Sequence, residues 1–296
     1  MTNTKSSSVR RLRRGFTLVE LLVTVVLFGI IGAALTKLLT TQGRFYDKMG
    51  MAHAARNVSR GSLNRVVSDF RMIEATGGVI SASSSAITVR IPFAIGVVCT
   101  GNGGWTHISM LPVDSVMYNA PGFYGYAWRN PNTSAYTYQD NANSNPGSIA
   151  VCDGVAITTV PPAGQPAANG LVVKLQPALP AGATLGTPVF LYRMIRYEFK
   201  NSTAVPGKLG LFRTVILQGG GENSEEIVAP FAATSGFKFF VVGNSTTAQV
   251  NPPATLSDMR GIELHLDGVS ENRVAGNASN EAAPFTTAVF FKNRIF

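Results

Sequence analysis

The sequence predicts an α+β protein, in which a long N-terminal α-helix packs on an antiparallel β-sheet domain. Residues 16–36 form an apolar run with a single charge, and apolar residues then recur every three or four positions as far as Ile73. From Ile87 onward the apolar period changes to two, which is typical of strands with one buried face. The 296 residues, 45% hydrophobic and 14% charged, suffice for one large globular domain or two small ones beside such a helix.

The first 15 residues form a basic leader that contains no acidic residue. Its positive charges lie on Lys5, Arg10, Arg11, Arg13 and Arg14. Without them the formal charge of the chain falls from +9 to +4, so the high isoelectric point is weak support for a nucleic-acid partner. A basic flank ahead of an apolar run stays cytoplasmic, which places the rest of the chain outside.

The apolar run of residues 16–36 is long enough to cross a bilayer, since a helix of this length spans about 31 Å. A cleaved signal peptide is one alternative, but its apolar core is about 7 to 15 residues and ends in a small-residue cleavage site, which this run lacks. A plain membrane anchor is the other alternative. Glu20 argues against an anchor, because a carboxylate deep in a bilayer costs about 2.5–3.5 kcal/mol, less near an end, and usually marks a function.

The sequence GFTLVE at residues 15–20, after a basic leader, resembles the processing site of type IV prepilins and of the pseudopilins of type II secretion. The resemblance implies that a prepilin peptidase cuts between Gly15 and Phe16 and that the new amino terminus of Phe16 is methylated. It also implies that Glu20 pairs with the terminal amine of a neighbouring subunit. A carboxylate in hydrocarbon is tolerable when a cation pairs with it, so this contact would also set the register between subunits.

The helix is expected to continue past the membrane and to end at Gly77-Gly78. Its apolar stripe predicts packing against the following domain and consists of Phe45, Met49, Ala52, Ser59, Leu63, Val66, Phe70 and Ile73. Many major pilins carry a proline at the twenty-second mature position, where this chain has Lys37. No proline precedes Pro92, so nothing in the sequence forces a kink.

Residues 79–296 are predicted to form a β-rich head. Alternating apolar residues between turn-rich pieces predict strands at residues 87–98, 171–175, 189–199, 209–217, 237–242, 261–267 and 286–292. Pro92 lies inside the first of these strands, which indicates an edge position or a bulge.

Four segments of the head resemble strands of the PilW-like minor pilins and of the J-type minor pseudopilins. They are residues 192–198, residues 211–213, residues 226–228 leading into 237–239, and residues 287–294. This resemblance is looser than that of the processing site, and it favours a minor subunit of the family.

Residues 100–150 are rich in Asn, Gly, Ser and Pro and predict a long loop, bracketed by the only two cysteines of the chain. In an exported domain Cys99 and Cys152 are expected to form one disulfide, and two buried thiols are the alternative. In the chain-entropy account a bridge over this span contributes about 4 kcal/mol to stability.

Aromatic residues crowd around Arg129 within the predicted loop, between residues 118 and 138. Tyr124, Tyr126, Trp128 and Arg129 form a possible binding loop, because rings and a guanidinium can stack on bases, sugars or partner side chains. Packing of these rings against the β domain is the more ordinary alternative. A contact with another pilin comes next, and DNA or a glycan third.

No catalytic or cofactor motif is found. The sequence has no G-x-S-x-G elbow, no H-E-x-x-H and no P-loop. His265 shares one face of a predicted strand with Glu263 and Asp267, and a solvated strand face explains this arrangement better than a metal site. We therefore expect a protein that is not an enzyme and that holds no cofactor and no metal.

These features predict a structural subunit, a minor pilin or pseudopilin that helps prime or cap a type IV pilus or a type II secretion pseudopilus. Removal of 15 residues from 296 leaves 281, which is large for a repeating major pilin. The alternative is a filament-presented binding module that acts in adhesion or DNA uptake through residues 118–138.

The resemblance also implies partners and a location. The partners are the prepilin peptidase, other minor pilins or pseudopilins, the inner-membrane assembly platform and the membrane itself. The expected location is the bacterial inner membrane, crossed once with a cytoplasmic N-terminus, and then an extracytoplasmic filament in the periplasm or at the cell surface.

Overall fold

The computed structural model describes residues 16–102, 104–118, 121–147, 152 and 171–291. A long N-terminal helix is followed by a large antiparallel β domain, so the predicted α+β class is confirmed. Helix α1 spans Leu18–Phe70 and a short helix α2 spans Pro112–Tyr118. The strands are β1 Val79–Ala82, β2 Ala86–Asn102, β3 Trp105–Met110, β4 Gly125–Arg129, β5 Tyr136–Asp140, β6 Asn143–Pro146, β7 Val172–Gln176, β8 Pro188–Asn201, β9 Leu209–Ile216, β10 Glu222–Phe231, β11 Gly236–Val241, β12 Asn244–Gln249, β13 Met259–His265, β14 Gly268–Val269, β15 Ala282–Ala283 and β16 Thr286–Phe290.

Helix α1 is 53 residues long and satisfies its own polar groups along the apolar half. The hydroxyls of Thr24 and Thr36 each donate to the carbonyl one turn earlier, that of Glu20 and of Gly32, at 2.8 Å. Such bonds remove the cost of placing a hydroxyl in an apolar medium. Among the described residues, α1 is the one helix long and apolar enough to cross a membrane.

The helix ends at Phe70, so the predicted end at Gly77-Gly78 is wrong. Its last turn tightens, because Met72 N donates to Asp69 O at 3.1 Å and Ile73 N donates to Phe70 O at 3.2 Å. Ile73 still reaches the core, but it does so from a turn. The helical spacing of apolar residues therefore extends to Ile73, past the end of the helix at Phe70.

Twelve strands form one antiparallel sheet with the main order β15-β14-β10-β9-β8-β2-β3-β7-β6. Strand β1 pairs with β2, and the hairpin of β4 and β5 joins the sheet through β8. The other four described strands form a second sheet in the order β12-β11-β13-β16. Seven strands lie where the sequence predicts them, namely β2, β7, β8, β9, β11, β13 and β16.

Strand β8 changes its partner along its length. Its first residues, 189–192, pair with β4, and residues 194–201 pair with β9, while β2 lies along its other side. Arg193 is the residue at this fork. The opposite strand β2 has a bulge at Phe93, where the register shifts between Pro92 and Ala94. The bulge predicted from Pro92 is therefore confirmed.

The predicted long loop at residues 100–150 is wrong, because its described part contains the end of β2, strands β3 to β6 and helix α2. Besides the local pairs β2 with β3 and β4 with β5, strands of this stretch pair with partners far along the chain, as Gly125 with Tyr192 and Ser144 with Leu175 show. A composition rich in Asn, Gly and Ser lowers the local strand signal. Pairing with distant strands overrides it.

Two apolar clusters stabilise the head. The first lies between the end of α1 and the two sheets, and Val66 and Phe70 of the helix are fully buried in it. The second lies under β3, β4, β7 and the first half of β8, where it includes Trp128 and Leu191. The helix thus packs over one cluster, and the sheet strands with their connecting segments build the other.

Candidate functional site

The N-terminus of α1 holds the predicted assembly residue in a capping box. Thr17 is the N-cap, and its hydroxyl accepts from Glu20 N at 3.3 Å. In return, Thr17 N donates to the Glu20 carboxylate at 3.4 Å. This exchange satisfies two amides that a helix start leaves without partners. The 3.4 Å bond is long, so the carboxylate keeps most of its capacity to accept from a stronger donor.

Thr17 belongs to the processing motif, but the sequence analysis assigned it no role of its own. The spacing Thr-x-x-Glu ahead of an apolar run is the signature that predicts this cap. Phe16 lies just before the helix and is 78% exposed. Gly15, the other predicted processing residue, lies outside the described residues.

The first half of α1 exposes its apolar surface. Phe28 is 74% exposed and Phe45 is 60% exposed, and the other large apolar side chains between Leu18 and Met49 are exposed as well. The predicted stripe is therefore wrong at Phe45 and Met49, because the head covers the helix only from about Met51 onward. An apolar surface of this extent marks contact with a membrane or another protein.

The second half of α1 is fixed to the head at Ser59. The Ser59 hydroxyl lies 2.8 Å from Leu266 O and 2.9 Å from Ala283 O, and it accepts from Gly268 N at 3.0 Å. Gly268 lies against the helix so closely that an added Cβ would clash with Ala55 O and with the Ser59 hydroxyl. Only glycine permits this approach of strand β14 to the helix.

A buried polar cluster joins the last turn of α1 to β8 and β9. The Asp69 carboxylate accepts from the Tyr197 hydroxyl and from Arg213 Nε at 3.3 Å, and Arg213 Nε also lies 3.2 Å from the Tyr197 oxygen. Burial, and then the charge of Asp69, raise the pKa of Tyr197, so this tyrosine stays a neutral donor. The cluster therefore fixes the orientation of the helix end on the sheet.

A second polar cluster lies beside the helix end, where Arg90 donates to both oxygens of Asp140 and, through Nη1, to Gly77 O at 2.5 Å. Tyr192 donates to the same carboxylate. Burial alone would raise the pKa of Asp140, but the hydrogen bonds from Arg90 and Tyr192 outweigh it and lower that pKa. The guanidinium also stacks 4.6 Å from the ring centroid of Tyr138.

The four residues of the possible binding loop are not brought together at the surface. Tyr126 and Trp128 lie on β4 and are only 2% and 3% exposed, because they pack in the second apolar cluster. Tyr124 is half-buried and Arg129 is exposed at the end of β4. The prediction of a loop is wrong for Tyr126 and Trp128, and their rings are not available for stacking on a ligand.

Cys99 and Cys152 are joined by a disulfide, and Cys99 also contacts Val172 of strand β7 in a small buried cluster. His265 lies on β13 with its Nε2 at 2.5 Å from Glu263 Oε1, and it is half-buried. Within the described ranges, no group of three potential metal ligands occurs.

Comparison with known proteins adds one match to this geometry. Residues 10–36 match the family described as the prokaryotic N-terminal methylation motif, and the match covers the end of the leader and the apolar run at the start of α1. No curated protein and no solved structure matches the chain. The capped Glu20 lies inside the matched segment, and the exposed apolar half of α1 begins there and continues past it. The match supports the type IV pilin and pseudopilin family.

Proposed function

We propose that this protein is a minor subunit that helps prime or cap a type IV pilus or a type II secretion pseudopilus. The observation that carries the proposal is the contrast along one helix that begins with the methylation motif. Its first half exposes apolar side chains, and its second half is packed on a large head. A filament subunit needs both, because the first half must pack with other helices and the second must carry the head.

Glu20 supplies the specific contact in this proposal. Cleavage before Phe16 would create a new amine four residues ahead of Glu20. The carboxylate accepts two long hydrogen bonds, from Thr17 N at 3.4 Å and from the Thr17 hydroxyl at 3.5 Å, so it can pair with the terminal amine of a neighbouring subunit. In an apolar medium this pairing strongly favours one register over its neighbours, because any other register leaves a charge unpaired.

The proposed partners and location follow from the same motif. The prepilin peptidase would process the chain at the cytoplasmic face, and the assembly platform would extract it from the inner membrane. The mature chain of 281 residues, 15 fewer than the 296 of the full sequence, supports a priming or capping position. The burial of Tyr126 and Trp128 gives the alternative of an aromatic binding loop no support.

The first test is the mass and amino-terminal sequence of the protein made together with an active prepilin peptidase. The expected product begins at methylated Phe16. An uncut chain, or one cut after residue 36, contradicts the proposal. In a second step Glu20→Ala should abolish incorporation into filaments, and Asp47→Ala, which removes an exposed acid from the same helix, should not.

A further inference from the structure

A groove of about 440 Å³ lies where the fork of β8 meets the bulge of β2. Helix α1 forms one wall and helix α2 another, since Asp69 and Met117 both line the groove. Most of the lining is apolar, but three arginines also reach it, namely Arg65, Arg193 and Arg213. We call this feature the arginine groove.

The carboxylates of the arginine groove are already engaged. Asp69 accepts from Arg213 and Tyr197. Asp114 accepts a hydrogen bond from Ile95 N at 3.0 Å and so satisfies a backbone amide beside the bulge. Neither carboxylate forms a hydrogen bond or an ion pair with Arg193 among the described residues.

Arg193 is left with buried donors that have no acceptor. Its Nε and Nη2 atoms are inaccessible to water and lack a hydrogen-bond partner within the described part of the chain. Its guanidinium stacks on Phe93, with 4.3 Å between the central carbon and the ring centroid. The two carboxylates that line the groove accept from other donors, so neither serves as the acceptor of Arg193.

Two other arginines on the same sheet form ion pairs with a carboxylate. Arg90 pairs with Asp140. Arg196 forms a bidentate ion pair with Glu222 through its two Nη atoms, although its Nε, like that of Arg193, is buried without a partner among the described residues. At Arg193, burial lowers the pKa most, and the positive charges of Arg213 and Arg65 lower it further against the attraction of Asp69. A buried cation that is only partly balanced is costly in the free protein, and an incoming anion would relieve that cost.

The chemistry of the arginine groove selects the ligand. Guanidinium groups bind carboxylates through parallel hydrogen bonds, and an apolar wall favours a carboxylate carried on an apolar body. The groove is open and partly formed by α1, the element that would pack in a filament. We propose that Arg193, with Arg65 beside it, receives an acidic side chain from an adjacent filament subunit. This inference rests on the proposed function for the source of the carboxylate, but not for the site.

The site is tested first without any filament. The full chain in a nonionic detergent is titrated with benzoate, and benzamide serves as the neutral control of the same shape. Benzoate should raise the thermal midpoint of the wild type, as a ligand of the folded state must. Arg193→Gln should bind benzoate roughly tenfold or more weakly. Arg196→Gln, on the same strand but paired with Glu222, should behave like the wild type.

The result that overturns the site is an absence of any benzoate effect, or an equal effect in Arg193→Gln and the wild type. Arg193→Met adds a check that does not depend on ligand. Because it removes an unpaired buried charge and keeps apolar volume, it should leave the ligand-free midpoint unchanged or raised. A clear fall would show that Arg193 stabilises the fold, which contradicts the proposal.

The source of the carboxylate is tested in the filament. Arg193→Gln should lower the amount of this protein in sheared filaments severalfold, while Arg196→Gln should not. If benzoate binds but Arg193→Gln assembles as well as the wild type, the partner side chain is ruled out and a soluble carboxylate is the ligand. If Glu20→Ala still assembles, the proposed function fails, yet the benzoate result stands by itself.

Discussion

The two halves of α1 belong to one continuous helix but face different surroundings. From Leu18 to Met49 the large apolar side chains are exposed, whereas Ala55, Val66 and Phe70 are completely buried. The polar side chains differ in the same way. Thr24 and Thr36 bond within the helix, but Ser59 and Asp69 bond to the head. The first half is therefore built for contacts with other molecules, and the second half is part of the head's core.

The largest expected effect tests the burial side of this comparison. Phe70→Ala should destabilise the head by about 3–5 kcal/mol, because it opens a cavity between the helix and both sheets. Phe45→Ala, in the exposed half, should change the free energy of unfolding by less than about 0.5 kcal/mol. Denaturant unfolding of the full chain in detergent measures both variants. Equal losses would show that the two halves are not distinct.

A second variant tests the polar attachment of the helix end. Asp69→Leu should cost about 2–3 kcal/mol, because it leaves Arg213 and Tyr197 without their shared acceptor. The double variant Asp69→Leu with Arg213→Met should recover part of this loss, since the charge of Arg213 is then no longer left without its carboxylate. Chemical unfolding of the wild type, of the single variants Asp69→Leu and Arg213→Met, and of the double variant gives the coupling free energy. Additive losses would mean that the cluster does not act as a unit.

A third variant tests the closest approach of helix and sheet. Gly268→Ala should cost about 1–3 kcal/mol, because the new methyl group must push β14 away from Ala55 and Ser59. Gly221→Ala is the control, since its Cβ would meet Leu217 only at an ordinary 3.7 Å. Hydrogen exchange at Gly268 should also accelerate in the first variant. Unchanged exchange and stability would argue against a fixed joint.

The smallest expected effect is a pH dependence of the thermal stability of the head. The folded-state pKa of Asp140 lies below its ordinary value of 3.8, so its contribution is complete above that value and is lost as the pH falls through the lowered pKa. Thermal midpoints should therefore drop below about pH 4, and Asp140→Asn should flatten this limb by about 1 kcal/mol or less. Tyr192→Phe should give an intermediate curve. If the thermal midpoint of Asp140→Asn fell with acid pH as steeply as that of the wild type, the ion pair of Arg90 and Asp140 would be excluded as the cause.

The sequence predicts the parts of this molecule whose causes are local. Residues 15–20 and the apolar run identify the N-terminal helix, and alternation predicts β2, β7, β8, β9, β11, β13 and β16. Pro92 predicts the bulge, because proline cannot complete a ladder. Thr17 could also have been assigned its cap from its spacing to Glu20.

The parts that escaped prediction depend on contacts between distant residues. Tyr126 and Trp128 are buried because β4 pairs with β8, and no local sequence pattern predicts that pairing. The predicted packing of Phe45 against the head is wrong, because the point at which the head begins to cover the helix depends on the folded head and not on the helix sequence. Arg193 looks like an ordinary strand arginine in the sequence, and only the fold shows that its Nε and Nη2 atoms are buried without an acceptor among the described residues.

The continuity of α1 has a mechanical consequence. With 53 residues and no proline, the helix is a rod of about 80 Å. A force applied at Glu20 is transmitted along the rigid helix to the contact between Ser59 and Gly268, and it therefore moves the whole head at once. A short flexible insertion after Gln42 would turn this stiff coupling into a tether. In the proposed assembly, extraction of the helix and movement of the head, which a rigid helix makes simultaneous, would then become separate events in time.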